Sequence, residues 1–204
     1  MSLILNLFED AVAEASARAS HALVLVGGQR GFGAGAIVHA DGLIVTNAHV
    51  VHDRQPRVQL EDGREFTARL LAHHSDLDLA ALSIDAKNLP TFELGDSRLI
   101  RAGELVIALG HPFGVAGVAV AGIAVGVGPD ERRPGRDWLA VDLPLRPGHS
   151  GGPIIDAEGR LIGINTMMAG LDIGLAIPVD AVKAFLKAAL DERVAASVAG
   201  GGGL

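Results

Sequence analysis

Arg146-Pro147-Gly148-His149-Ser150-Gly151-Gly152-Pro153 decides how the rest of the chain is read, because it presents a single hydroxyl in a turn of small residues. A serine hydroxyl is a poor nucleophile until a base takes its proton and fixed donors receive the oxyanion that forms. Glycines around it let the backbone turn sharply and bring N–H groups close to a ligand with no side chain in the way. Gly-Ser-Gly also occurs in ordinary loops, so the turn means something only if the remaining chain supplies a base and a group to orient it.

The histidines are 21, 39, 49, 52, 73, 74, 111 and 149, and none lies beyond Ser150. Gly148-His149-Ser150-Gly151-Gly152 fits the G-x-S-x-G elbow of α/β-hydrolases, whose acid and histidine come after the serine, so chain order rejects that reading. A subtilisin-type order needs an aspartate well before the histidine and a parallel α/β texture. The order that remains is His, Asp, Ser, that of a chymotrypsin-like double barrel. His49 is the best-placed base, just after the apolar run Leu43–Thr46 and in a small-residue turn. Asp78 immediately precedes the apolar run Leu79–Leu82, where a carboxylate can be buried against an imidazole, whereas Asp76 lies in the more polar approach. His73, His74, Asp76 and Asp78 are also metal-type donors, but adjacent histidines on a turn diverge; no metal and no other cofactor is expected.

The texture of the chain agrees with an all-β protein. Twelve short runs separated by Gly, Asp-Gly or Pro read as strands: Ala22–Val26, Ala34–His39, Leu43–Thr46, Arg57–Leu60, Glu65–Leu71, Leu79–Ile84, Glu104–Leu109, Val118–Val127, Trp138–Val141, Pro153–Ile155, Leu161–Asn165 and Gly174–Ile177. The stretch Leu89–Gly103 carries little strand signal and links two groups of about six. Apolar residues at helical spacing mark an amphipathic helix over 3–19, docking on the chain's own body or on another subunit, and a closing helix from Val182 to Ala199 before a glycine-rich tail. The resulting units are 1–21, 22–180 with barrels at 22–88 and 104–177, and 181–204.

With 204 residues, 49% hydrophobic and 20% charged, the chain can bury one sizeable core or two small ones. Its net charge of −7 argues against a nucleic-acid or anionic-membrane surface, and the basic cluster Glu131–Arg136 reads as a solvated loop. Without cysteine there is no disulfide framework and no thiol chemistry. No apolar run reaches the ~18 residues of a membrane span. Met1–Phe8 lacks a basic region and is followed by Glu9 and Asp10, so it does not read as a secretory signal.

Thr46-Asn47-Ala48-His49-Val50-Val51, Asp78-Leu79-Ala80-Ala81-Leu82, Leu94-Gly95-Asp96-Ser97, Gly110-His111-Pro112-Phe113-Gly114, Pro147–Pro153 and Gly163-Ile164-Asn165-Thr166 resemble, in this order, the protease domain of the HtrA/Deg family of trypsin-like serine proteases. The resemblance implies two six-stranded β-barrels with the site in the cleft between them. It also implies His49 as general base, Asp78 as its orienter, Ser150 as nucleophile, and the N–H groups of Gly148 and Ser150 as oxyanion donors. Two departures stand out: His149 replaces the usual Asn before the serine, and His111 replaces Asn in Gly-Asn-Pro-Phe-Gly. His149 is read as a loop-packing or pH-sensitive residue facing away from the cleft. Because it is not the aspartate of digestive enzymes, activity would depend on an ordered 143–149 loop rather than on propeptide cleavage.

Trypsin-like selection of Lys or Arg needs an aspartate where this chain has Pro144. Leu143, Leu145, Met167 and Met168, with Leu171 nearby, suggest instead a pocket for Val, Ala, Leu or Ile, complicated by Asp172. The implied substrates are unfolded or extended polypeptides, cleaved in protein quality control. Two alternatives stay open, a protease fold with a collapsed loop serving as a binding or chaperone module, and an esterase. The resemblance further suggests homotrimers, a periplasmic or other extracytoplasmic setting, and a PDZ domain that this sequence does not contain.

Overall fold

Alternating apolar residues and Asp-Gly turns fold the chain into two β units flanked by two helices, in a computed structural model that describes residues 3–28, 31–131, 134–170 and 172–200. The tail 201–204, Leu171, and Arg132 and Arg133 of the basic cluster lie outside the described residues. Helix α1 (Leu3–Ser20) leads into β1 (Leu23–Gly28), β2 (Gly31–His39), β3 (Leu43–Thr46), β4 (Arg57–Leu60), β5 (Glu65–Thr67), β6 (Arg69–His74) and β7 (Leu79–Ser83). The second unit holds β8 (Leu105–Gly110), β9 (Val118–Pro129), β10 (Asp137–Asp142), β11 (Pro153–Ile155), β12 (Leu161–Ala169) and β13 (Ile173–Pro178), and α2 (Val179–Gly200) comes last.

The second unit is the expected closed six-stranded barrel, in the order β10-β13-β12-β11-β8-β9. The first answers the other expected barrel of the chymotrypsin-like pair as a half-barrel, with seven antiparallel strands in place of six, in the order β5-β4-β1-β2-β3-β7-β6. The single strand expected over Glu65–Leu71 divides at Ala68, whose N–H donates to Pro56 O (2.8 Å). Its halves β5 and β6 are the two outer strands of the sheet, joined through Ala68 alone. A sheet whose edges are one residue apart in the chain must curl round on itself, so the ring is completed covalently where a barrel would have a ladder.

The cores are aliphatic. Val24, Ile37, Ile44, Leu79 and Leu82 fill the first unit, where Ala15 and Ala19 of α1 and Val182, Phe185 and Leu186 of α2 join them. Val106, Leu139, Val141, Leu143 and Ile154 belong to a second cluster inside the closed barrel. Among the described side chains of α1 the later ones are packed in this way, whereas Leu3, Leu7 and Phe8 remain exposed. The linker is tied at both ends: Phe92 N–H donates to Ile37 O (2.9 Å) and Gly95 N–H to Leu161 O (2.9 Å). Helix α2 is clamped to it by Asp180, whose Oδ2 accepts from Ser97 Oγ (2.7 Å) and Ser97 N–H (3.1 Å). In return the Asp180 N–H donates to Ser97 Oγ (3.3 Å). One element of the basic cluster is not a solvated loop: Arg136 is buried, stacks 3.8 Å from the Trp138 ring centre and donates to Asp76 O (2.9 Å). Among the described residues no helix is long and apolar enough to cross a membrane.

Candidate active site

Strands β3 and β7 are paired with Thr46 opposite Ala80, so the residues just after β3 and those just before β7 meet at one end of the sheet. After β3 comes a single turn, Ala48–Val50, carrying His49; before β7 comes Asp78. His49 Nδ1 lies 2.8 Å from Asp78 Oδ2, and Oδ1 accepts the His49 backbone N–H at 3.0 Å. A carboxylate held this way fixes both the ring's orientation and the tautomer with the proton on Nδ1. Asp78 is 9% exposed and sits at φ +57°, an uncommon value for a residue with a side chain. Asn47 holds that backbone, its Nδ2 donating to Asp78 O (3.0 Å) and to Thr166 Oγ1 (3.1 Å) across the two units. His73 is turned to the Ala48 carbonyl (Nε2 to O 3.2 Å) and His74 accepts from the Leu77 N–H (3.3 Å), so neither competes for the carboxylate.

Ser150 lies in the loop between β10 and β11, wedged between the units. Its carbonyl accepts from Ala34 N–H of β2 (2.8 Å), and the next two residues pair with β12 through Gly151 N–H to Asn165 O (2.9 Å) and Asn165 N–H to Gly152 O (2.8 Å). Gly151 has φ +81°, and a Cβ there would come within 2.2 Å of Thr46 Oγ1, so only glycine fits. His49 and Ser150 face one cleft of about 220 Å³, shared with Gly31, Phe32, His52 and Gly148. Ser150 Oγ donates to Thr166 O (3.2 Å).

The turn ahead of the serine has a defined form. His149 N–H donates to Arg146 O (2.9 Å) with Pro147 and Gly148 between them, and Gly148 has φ +103°. A closed four-residue turn with proline second and positive φ third is type II; in type I the middle peptide is turned over. Gly148 O accepts from His111 N–H (2.9 Å), which anchors the turn to the end of β8. Among the described residues the N–H groups of Gly148 and Ser150 have no acceptor. Two unpaired donors beside a serine are the arrangement that can receive an oxyanion.

His149 is 1% exposed, with Nδ1 3.1 Å from Arg146 N and 3.2 Å from Arg146 O. Its ring faces the protein, away from the cleft. Burial pushes its pKa below the ordinary histidine value, against an opposing pull from the Arg146 backbone; His111 is lowered for the same first reason. Nε2 of both rings is buried without a partner among the described residues.

A second cavity of about 270 Å³ opens on the other side of Ser150, lined by Leu145, Arg146, Pro147, Thr166, Met167 and Met168. Leu143 does not line it: at 2% exposed it packs inside the closed barrel against Gly122. Phe32 and Gly31 are not marked by local sequence, and Thr166, though the last residue of a quoted motif, falls beyond the strand expected over Leu161–Asn165. Thr166 comes after Asn165 at a β-bulge that spoils the alternation by which a facing residue is recognised, and the other two enter the cleft only because β2 reaches the Ser150 turn.

The Trypsin-like peptidase domain family matches residues 33–164. Serine protease HTRA2, mitochondrial, of Drosophila willistoni is 38% identical over 169 residues, covering 79% of this chain and 39% of that protein. Its counterpart in Drosophila pseudoobscura pseudoobscura is equally identical, with 40% of its length covered, so the chain spans about two fifths of these curated relatives. Among solved structures, the HtrA-type protease AlgW with a tripeptide superimposes with a TM-score of 0.81 at 37% identity, over 86% of this chain and 62% of that one.

Proposed function

Since the chain belongs to the HtrA family of trypsin-like serine proteases, we propose that it hydrolyses peptide bonds in unfolded or extended polypeptides, with Ser150 as nucleophile, His49 as general base and Asp78 as orienter. What carries the reading is the type II turn at Arg146–His149, which leaves the Gly148 and Ser150 N–H groups free beside the serine. For the reaction Oγ leaves the Thr166 carbonyl and turns to His49 Nε2, which faces the same cleft. Oγ attacks the peptide carbonyl as His49 accepts its proton, and the oxyanion forms against the two N–H groups. His49 returns the proton to the leaving amine, Asp78 stabilising the imidazolium meanwhile, and water then hydrolyses the acyl-enzyme by the same route.

The apolar cavity at Leu145, Met167 and Met168 takes the side chain on the acyl side, of small or medium size. One methylene in such a pocket is worth only ~1–3 kcal/mol, which gives broad cleavage suited to protein quality control. The exposed Leu3, Leu7 and Phe8 of α1 form a contact between copies, in a homotrimer. Degradation of casein by the purified protein, lost in Ser150→Ala, tests the assignment; turnover that survives that change would defeat it. The Ser150–Thr166 bond favours one other reading, a gated binding module. A fluorophosphonate probe separates the two, since a serine without a working oxyanion hole stays unlabelled.

A further inference from the structure

We infer that the groove on the outer face of β1, β4 and β5 receives the polypeptide beyond the scissile bond and prefers a basic side chain there, with Asp53 and Arg57 setting that preference in opposite directions. The inference rests on the serine-protease reading of the site. The cavity, about 690 Å³, is lined by Leu25, Phe32, Asp53, Arg57 and Glu65, together with Gly28 and Gly31. Gly31 and Phe32 also line the cleft that holds His49 and Ser150, so the two spaces adjoin across these residues.

The direction of the substrate is set by the chemistry. The imidazole gives its proton to the leaving amine, so the leaving half of the substrate lies on the His49 side of Ser150. The cavity at Leu145 and Met168 borders Ser150 but not His49, whereas the cleft with His49 opens toward Phe32. An extended chain advances ~3.3 Å per residue, which carries the second or third residue after the cleaved bond past Phe32 into the groove.

Strand register arranges the groove's surface. Gly27 stands opposite both Phe32 and Arg57, and Leu25 opposite Gln59, which is itself opposite Glu65. Gly27 and Gly28 add no side chain, leaving space between Phe32 and the charged groups. At the end nearest the cleft lies the Asp53 carboxylate, placed so that a Cβ on Gly28 would meet Oδ2 at 2.3 Å. Among the described residues that line the groove, two carboxylates stand against one guanidinium with no ion pair joining them, over an apolar floor. A lysine or arginine fits that combination, its stem on Leu25 and Phe32 and its charge at Asp53.

The test uses paired peptides that differ only in Lys or Glu at the second and third positions after a leucine, read as a kcat/KM ratio. The wild-type ratio should favour Lys by about twofold to fivefold, the range of a partly exposed ion pair. Asp53→Asn should lower it and Arg57→Gln raise it, both exposed substitutions away from the catalytic groups. An N-acyl-leucine p-nitrophenyl ester, which has no amino-acid residue and no charged side chain beyond the cleaved bond, should be turned over equally by all three proteins. The same pairs titrated as Kd on Ser150→Ala protein read the groove without catalysis. A ratio of one, a preference for Glu, or ratios unmoved by both substitutions would overturn the inference. Loss of ester turnover with a charge-dependent Kd would instead count against the protease reading and uphold the groove.

Discussion

His149 adjoins Ser150 in sequence and faces the opposite way in space, where its ring meets the Arg146 backbone beneath the Arg146–His149 turn. Both it and His111 bind protons less readily in the fold than in the unfolded chain, where histidine titrates near ~6.5. Their lowered values give stability that is whole above about pH 6.5 and is lost as the pH falls through that point toward the folded values. Thermal midpoints should therefore hold level from about pH 7 to 8 and fall below about 6.5, with a shallower fall in His149→Asn. At Gly148 a side chain would force an unfavourable φ and bring Cβ within 2.4 Å of His111 O. Gly148→Ala should lower kcat by about a hundredfold or more, the scale of a lost oxyanion donor, in protein whose circular dichroism is unchanged. That His49 would meet Asp78 beside Ser150 was legible from chain order and from their places at strand ends, where local rules act. The turn type at Gly148 was not, because it depends on His111 holding the Gly148 carbonyl from far along the chain.

At the scale of elements, β3, β4 and β11 have the very limits their apolar alternation and turn residues mark. β12 does not: expected to end at Asn165, it continues to Ala169 across the bulge between Asn165 and Met167, which a period of two cannot carry through. The placement of α2 also escaped local reading, since its start is held by a linker serine 83 positions earlier. Ser97 is 2% exposed, and removing the carboxylate leaves its hydroxyl proton and its N–H without the acceptor they share. Asp180→Ala should cost about 1–3 kcal/mol of folding stability by urea denaturation. A cost below about 0.5 kcal/mol would mean that helix and linker dock through apolar contact alone.

For the molecule as a whole, two tandem β units and two helices are implied by the number and spacing of strands, and by the linker between them. The exposure of α1 bears on assembly: Leu3, Leu7 and Phe8 stand free while the later part of the helix is packed. Light scattering should give three times the monomer mass, and Leu7→Asp should return it to one. A monomeric wild-type mass would count against the trimer. The bend at Ala68 has a consequence for survival among proteases. Its link holds the outermost strands of the first unit as neighbours, so one break there would free both as unpaired templates for sticking to other chains. At 1% exposed, Ala68 is out of reach of any cleft that must lay its substrate out straight, including the one proposed for this chain.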